Sequence, residues 1–280
     1  MTSLADTQPI QSKAIRPVFK FSKQRTISYG LSAVSIILSV VLWQLLSHFH
    51  INLGIVNFAN VPSPLDVVRS FIAFAELDTA LAHVKASISR VLMGFVLAAF
   101  MGVILGLLIG YSKTIAAIFM PPLEILRPIP AVAWIPLAIL MFPSSEASMI
   151  FITFLGALFP ILLNTIHGVE AVDRRLIASA KSLGAGQFGI LREVIIPGSL
   201  PSITTGLAIG MGTCWFCLVT AEMISGQLGI GYFTWESFTL QNYADIIVGM
   251  LLIGALGMFS SALLRYLGKK LTPWYQLRKA

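Results

Sequence analysis

Residues 172–202 read VDRRLIASAKSLGAGQFGILREVIIPGSLPS. The stretch carries Asp173, Arg174, Arg175, Lys181, Arg192 and Glu193 in a chain of which 11% is charged. Long apolar runs flank it on both sides. A polar, helix-forming segment held between membrane-length apolar runs reads as a part that meets something in water. It also fixes how the rest of the chain is divided, because whatever precedes and follows it must enter the bilayer there.

Working outward, the chain is 56% hydrophobic with a mean hydropathy of +0.86, too apolar for a soluble domain of this length. Windows of roughly 20 apolar residues, enough to cross a ~30 Å core, fall at Ile27–Leu46, Ile88–Gly110, Ile115–Phe142, Ala147–Val169, Pro201–Glu222 and Ile246–Leu267. The expected fold is therefore an all-α integral membrane protein with six transmembrane helices. Lys13, Arg16, Lys20, Lys23 and Arg25 precede the first window, and Arg265, Lys269, Lys270, Arg278 and Lys279 follow the last. An even number of spans puts both clusters on one side, and the positive-inside rule makes that side the cytoplasm. Lys113 and the cations of the 172–202 stretch fall on the same side. The net charge of +7 is thus a topology signal, not a nucleic-acid signal. The expected organisation is a cytoplasmic tail over 1–26, whose lysines would rest on anionic lipid heads, a membrane domain over 27–267 and a cytoplasmic tail over 268–280. The first 26 residues lack the short apolar core and small-residue site of a cleaved signal.

Several spans carry further information. The run VPSPLDVVRSFIAF from Val61 predicts a turn at Pro62 and Pro64, then a short helix lying on the outer face through Leu65, Val68, Phe71 and Ile72. Gly102, Gly106 and Gly110 recur every fourth residue, a ridge that lets another helix backbone approach closely. The sequence from Gly110 to Thr114 has the wrong spacing for a phosphate loop. Pro128, Pro130 and Pro136 interrupt the third span, so its backbone must be covered by protein or line an aqueous path. That span holds Glu124 and Arg127, three residues apart on one helical face. Intramembrane charges default to a functional reading, the alternatives being an ion pair that locks two helix segments or an Arg127 that snorkels to the cytoplasmic interface. Trp134 in the same span, and Thr213 and Glu222 in the fifth, complete the candidate pathway residues. Cys214 and Cys217 form a CxxC inside the fifth span and read as buried packing residues rather than a redox pair or metal ligands. His48, His50, His83 and His167 are scattered without metal-ligand spacing. The stretch from Gly226 reads as an outward-facing segment that folds partly back.

Within the opening stretch, Ala178, Ala180 and Leu183 predict a small, apolar helix face, and Gly184 a turn with φ > 0. A second short helix, QFGILREV, leads to Pro197 and Pro201 at the entrance of the next span. This arrangement resembles the "EAA" coupling loop of binding-protein-dependent ABC importer permeases. The family glutamate falls at Ala178, its two alanines at Ser179 and Ala180, its glycine at Gly184 and its closing leucine-proline at Ile196-Pro197. The missing glutamate puts a specific acidic contact in doubt, not the docking. LRPIPAVAWIPLAI, GALFPILLNTIHGV and LVTAEMISGQLGIGY resemble the permeases of the nitrate, taurine and alkanesulfonate subfamily.

The resemblance implies a type I ABC importer permease fold with a coupling loop over 171–197. It implies ATPase docking through Arg174, Arg175, Leu176, Ala178, Ser179, Ala180, Leu183, Gly184 and Pro197. It further implies ABC ATPase subunits below, a periplasmic or lipoprotein solute-binding protein above, and a second permease copy, a homodimer, within the lipid bilayer of the inner membrane. The chain itself would then be a transport subunit, not an enzyme, with no cofactor of its own. Its cargo would be a small anion of the taurine, alkanesulfonate, nitrate or bicarbonate kind, the alternative being a cation of the thiamine-precursor type. The alternatives are an ion-gradient-driven secondary transporter, which usually has two related halves, and a membrane-embedded enzyme, which needs a catalytic constellation inside the spans.

Overall fold

The computed structural model describes residues 21–275 apart from Leu53, Ile55, Val56, Asn57 and Ala59, with side chains from residue 30 onward. The tail lysines and arginines before residue 21, and Arg278 and Lys279, lie outside the described residues. The described chain is helical and divides into two units, residues 1–64 and 65–280. In the first, α1 (Phe21–His48) ends in a turn where Trp43 Nε1 donates to Pro62 O at 3.1 Å and Ser47 donates to Val61 O.

The second unit begins one residue into α2 (Pro64–Glu76), followed by α3 (Ala80–Tyr111) and α4 (Lys113–Leu126). A 3₁₀ turn (Ala131–Trp134) leads into α5 (Ile135–Met141). There follow α6 (Ser145–Glu170), α7 (Arg174–Ser182) and α8 (Gln187–Ile190). A π turn (Leu191–Ile195) joins α8 to α9 (Ile196–Ser225), and α10 (Ile230–Thr239) and α11 (Tyr243–Leu271) complete the unit. Among the described residues, five helices are long and apolar enough to cross a membrane. The number is six if α4 and the Ala131–Met141 segment are one span bent by 81°. The bend falls at Pro128 and Pro130, as the proline pattern predicts. Two prolines within three residues remove two amide donors, and Pro130 leaves helical backbone with ψ 136°. Pro121 and Pro122 stay inside α4.

The centre of the unit is α6, gripped from two sides. On one side lies the glycine ridge of α3. A Cβ at Gly94, Gly106 or Gly110 would stand 2.6–2.8 Å from the Cβ of Thr153, Thr165 or Val169, and one at Gly102 would stand 3.0 Å from Ile161 Cγ2. On the other side α9 presents Gly206 and Gly210, whose added Cβ atoms would meet Asn164 Cβ at 2.7 Å and Ile161 Cγ1 at 2.9 Å. Gly156 of α6 answers with room for Cys217. Without a hydrophobic driving force between helices in lipid, close backbone approach of this kind supplies the packing. The resulting core holds Val91, Phe95, Ile135, Met149, Ile152, Ile161, Cys214 and Leu218. Cys214 and Cys217 are free and buried there.

Three elements differ from their sequence-based expectations. α3 starts at Ala80, eight residues before the apolar window at Ile88, because His83, Ser87 and Arg90 are buried by protein partners and need no water. α2 buries Val67 and Phe74, the latter 4.7 Å from the Phe233 ring, and leaves Leu65, Val68, Phe71 and Ile72 exposed. Its expected apolar stripe thus faces away from the body, the side available to lipid. The fifth span begins earlier than Pro201. The helix runs from Gln187 without a gap, and the π turn, closed by Ile196 N donating to Leu191 O, accommodates the amide that Pro197 lacks.

Candidate functional site: an exposed loop, a mid-helix cavity and a buried polar cluster

α6 has 26 residues and spans about 39 Å, so its two ends define the two ends of the unit. At its C-terminal end the chain enters the 172–202 stretch. Asp173 caps α7, accepting from Arg175 N at 2.9 Å, and its carboxylate pairs with the exposed Arg175 side chain at 3.5 Å. α7 ends in a Schellman turn: Ala185 N donates to Ala180 O and Gly184 N to Lys181 O, both at 3.0 Å. Gly184 is the left-handed residue of that turn with φ +84°, as its place after the helix predicts. Nothing lies within 4 Å of where its Cβ would be, so the requirement for glycine is conformational, not steric.

The face of α7 is divided differently from expectation. Ile177 and Ala180 turn inward onto Val169, Ile190 and Ile195. Leu176, Ala178, Ser179 and Leu183 remain exposed with Arg174 and Arg175. Leu183 is 88% exposed, Phe188 74% and Leu176 57%. Phe188 was not among the sequence-predicted docking residues, although its aromatic ring in a polar stretch was a visible signal. Pro197 is half-buried in the first turn of α9.

Near the middle of α6 the bent segment leaves a cavity of about 490 Å³. Arg127, Trp134 and Thr213 line it together with Phe151, Phe159 and Phe216. Arg127 is the C-cap of α4 and has no carboxylate partner among the described residues. Glu124, one turn earlier, is exposed and shares with Arg127 a small pocket against Phe159 and Leu162. No ion pair joins Glu124 to Arg127 among the described residues, so the locking alternative has no contact behind it in this structure.

Glu222 does not join that cavity. It is fully buried at the opposite end of α9 from the loop. Arg90 Nη1 donates to Glu222 Oε1 at 2.8 Å and also to Leu228 O, while Arg90 Nε donates to Glu146 Oε2 at 2.8 Å. Ser87 Oγ donates to Glu222 at 2.9 Å, and Gly231 N donates to its other oxygen at 2.9 Å. Ile230 N donates to Ser87 Oγ at 2.8 Å, and His83 Nδ1 lies 3.0 Å from Gly229 O. The carboxylate therefore sits at the N-terminus of α10, where amides and helix dipole favour negative charge. Gly229 (φ +136°) makes this possible, since a Cβ there would stand 2.3 Å from the Glu222 carboxylate. His83, Ser87, Arg90 and Glu146 were not among the sequence-predicted site residues. The first three recur at i, i+4 and i+7, a helical stripe continuous with the glycine ridge, and that was the available signal.

Residues 98–275 match the family described as "Binding-protein-dependent transport system inner membrane component". A protein of Methanocaldococcus jannaschii named as an ABC transporter permease is 40% identical over 244 residues, 86% of this chain and 91% of the relative. The nitrate import permease protein NrtB of a Synechocystis strain is 32% identical over 252 residues, 86% of this chain and 88% of the relative. The taurine transport system permease protein TauC of Escherichia coli is 30% identical over 278 residues, 98% of each chain. The MetNI methionine ABC transporter in its inward-facing conformation shares the fold, with a TM-score of 0.54 at 18% identity over 70% of this chain and 96% of that one. The exposed loop beyond α6, the proline-bent span and the glycine-gripped α6 are thus features of a chain that belongs to the inner-membrane component family of binding-protein-dependent ABC transporters.

Proposed function

We propose that the chain imports a small anion of the sulfonate or nitrate kind, as one of two identical permease copies. ABC ATPase subunits would dock on α7 and the α7–α8 turn from the cytoplasm, and a solute-binding protein would deliver cargo at the Arg90 end. Both termini would then be cytoplasmic, with 1–26 and 268–280 as tails, and the chain itself would hydrolyse no ATP. The observation that carries the docking reading is the exposure of Leu183, Phe188 and Leu176 on a polar segment that water would otherwise bathe. Large apolar side chains grouped on such a surface mark a protein contact. The anion reading is supported by Arg127, a cation without a carboxylate partner among the described residues, on the wall of a mostly apolar cavity at mid-helix depth. The relatives named for nitrate and taurine agree with it.

ATP closure would draw the two α7 helices together, and the π turn would pass that displacement into α9, the helix that carries Thr213. The test is reconstitution in vesicles with the partner ATPase and binding protein, followed by uptake of radiolabelled taurine, an alkanesulfonate, nitrate and bicarbonate. ATP-dependent uptake of one of these is expected. Uptake by the chain alone down an ion gradient would sink the ATP-coupled reading, and import of a cation only would sink the anion assignment.

A further inference from the structure

Beside the last turns of α11 lies a pocket of about 370 Å³ that neither the coupling loop nor the Arg127 cavity uses. One wall is the start of α9, with Ser202, Thr204 and Thr205; the other is α11, with Arg265 and Lys269. Tyr275 closes the rim. The walls converge at Gly268, where a Cβ would stand 2.8 Å from Thr204 Cβ.

Arg265 and Lys269 are four residues apart, so both cationic heads project from one helix face. Neither has a carboxylate partner among the described residues. The next lysine behaves differently: Lys270 Nζ lies over the Tyr266 ring, 4.9 Å from its centroid. Opposite the cations, Thr204 and Thr205 both donate to Pro201 O, at 2.9 and 2.8 Å. Ser202 lines the same concavity, although its Cβ also packs toward Gly168 of α6. Two cations without a carboxylate partner on one concavity select an oxyanion.

The depth of the pocket decides which one. Tyr266, Trp274 and Tyr275 are each more than half exposed on this stretch, amid the exposed Leu267 and Leu271. Aromatic residues on either side of lysines at a helix end mark the level of lipid headgroups. Basic pockets between membrane helices at that level take phosphate head groups. We propose that this pocket binds the phosphate of an anionic phospholipid. Bound there, the phosphate ties the start of α9, immediately after the coupling segment, to the end of α11.

The test uses the full chain purified in detergent and titrated with phosphatidylglycerol, phosphatidylcholine or inorganic phosphate, read by native mass spectrometry and thermal unfolding. One saturable phosphatidylglycerol per chain is expected, with phosphatidylcholine bound about tenfold more weakly. Arg265→Gln/Lys269→Gln should weaken phosphatidylglycerol binding by about the same factor, and Lys270→Gln should leave it unchanged. Inorganic phosphate protecting as well as the lipid would make this a free-anion site and overturn the lipid assignment. Equal loss in Lys270→Gln would overturn the pocket itself. Should the double variant not fold, the wild-type titration still decides: a graded series of lipid adducts without one saturating copy rejects the site.

Discussion

The two ends of α6 and α9 solve opposite problems. At the Glu222 end, buried charge is answered inside the chain: Arg90 meets Glu146 and Glu222, and Glu222 meets Ser87 and a backbone amide. At the loop end, apolar side chains stand uncovered: Leu183, Phe188 and Leu176 are each more than half exposed. Burial of a charge is tolerable only when its partners are complete, and exposure of grouped apolar surface is tolerable only when a partner covers it. One end is finished by its own fold. The other leaves large apolar side chains exposed on the chain's own surface. The same two helices, α6 and α9, join the two ends.

The largest effect is expected where completion is internal. Arg90→Ala leaves Glu222 buried without its cation and removes the tie to Leu228 O. A loss of about 3–5 kcal/mol is the scale for breaking one partner of a buried pair. Thermal unfolding of the purified chain should show it, and Arg90→Ala/Glu222→Ala should recover part of it. Unchanged stability in the single variant would mean that the cluster fixes nothing, and the contrast between the ends would fail.

The grip on α6 comes next. Gly106→Val would set a Cβ 2.6 Å from Thr165 Cβ and 2.9 Å from Leu162 O. Backbone on one side leaves no rotamer escape, so α3 must move away. A cost of about 1–3 kcal/mol is expected from such overpacking, read as a lower unfolding temperature. Gly254, with nothing within 4 Å of its added Cβ, is the control, and Gly254→Ala should be nearly silent.

At the loop end the effect should be smaller in stability and larger in coupling. Gly184→Val forces a β-branched residue into φ +84° with no steric clash around it, a strain of about 1–2 kcal/mol confined to the turn. The body should unfold at nearly the wild-type temperature. Co-purification with the ATPase subunit, and ATPase stimulation by loaded binding protein, should both fall. Normal coupling in Gly184→Val would separate the turn from the docking function and remove one half of the comparison.

What was legible in the sequence follows from how local each signal is. The glycine ridge, the proline bend and the positive φ of Gly184 each depend on residues within a turn or two, and each stands where the pattern puts it. The helix α7 is legible for the same reason, but its inward face is not. Which of Ile177, Ala180 and Leu183 turns inward depends on Val169, Ile190 and Ile195, brought together only by the fold. The Arg90–Glu222 pair joins residues 132 positions apart, and no periodicity links them. Glu222 therefore reads as a pathway residue in sequence and stands in the structure among the partners of Arg90.

Arg127 sharpens the comparison from the middle, because it belongs to neither end. Unlike Arg90, which is 3% exposed and saturated with acceptors, Arg127 is an exposed cap residue on a cavity wall with no carboxylate partner among the described residues. Its removal should cost almost no stability, since no internal ion pair is broken. If its field draws an anion through the cavity, Arg127→Ala should lower uptake about tenfold or more while assembly and basal ATPase activity persist. Arg127→Lys should keep part of the uptake, because the charge survives without the planar fork. Glu124→Ala, tested beside it, should be mild. A stability loss in Arg127→Ala that Glu124→Ala/Arg127→Ala repairs would instead reveal an ion pair formed in the assembled transporter. Full uptake by Arg127→Ala would leave the cavity without a demonstrated cargo contact, and the anion assignment would have to rest on another residue of its wall.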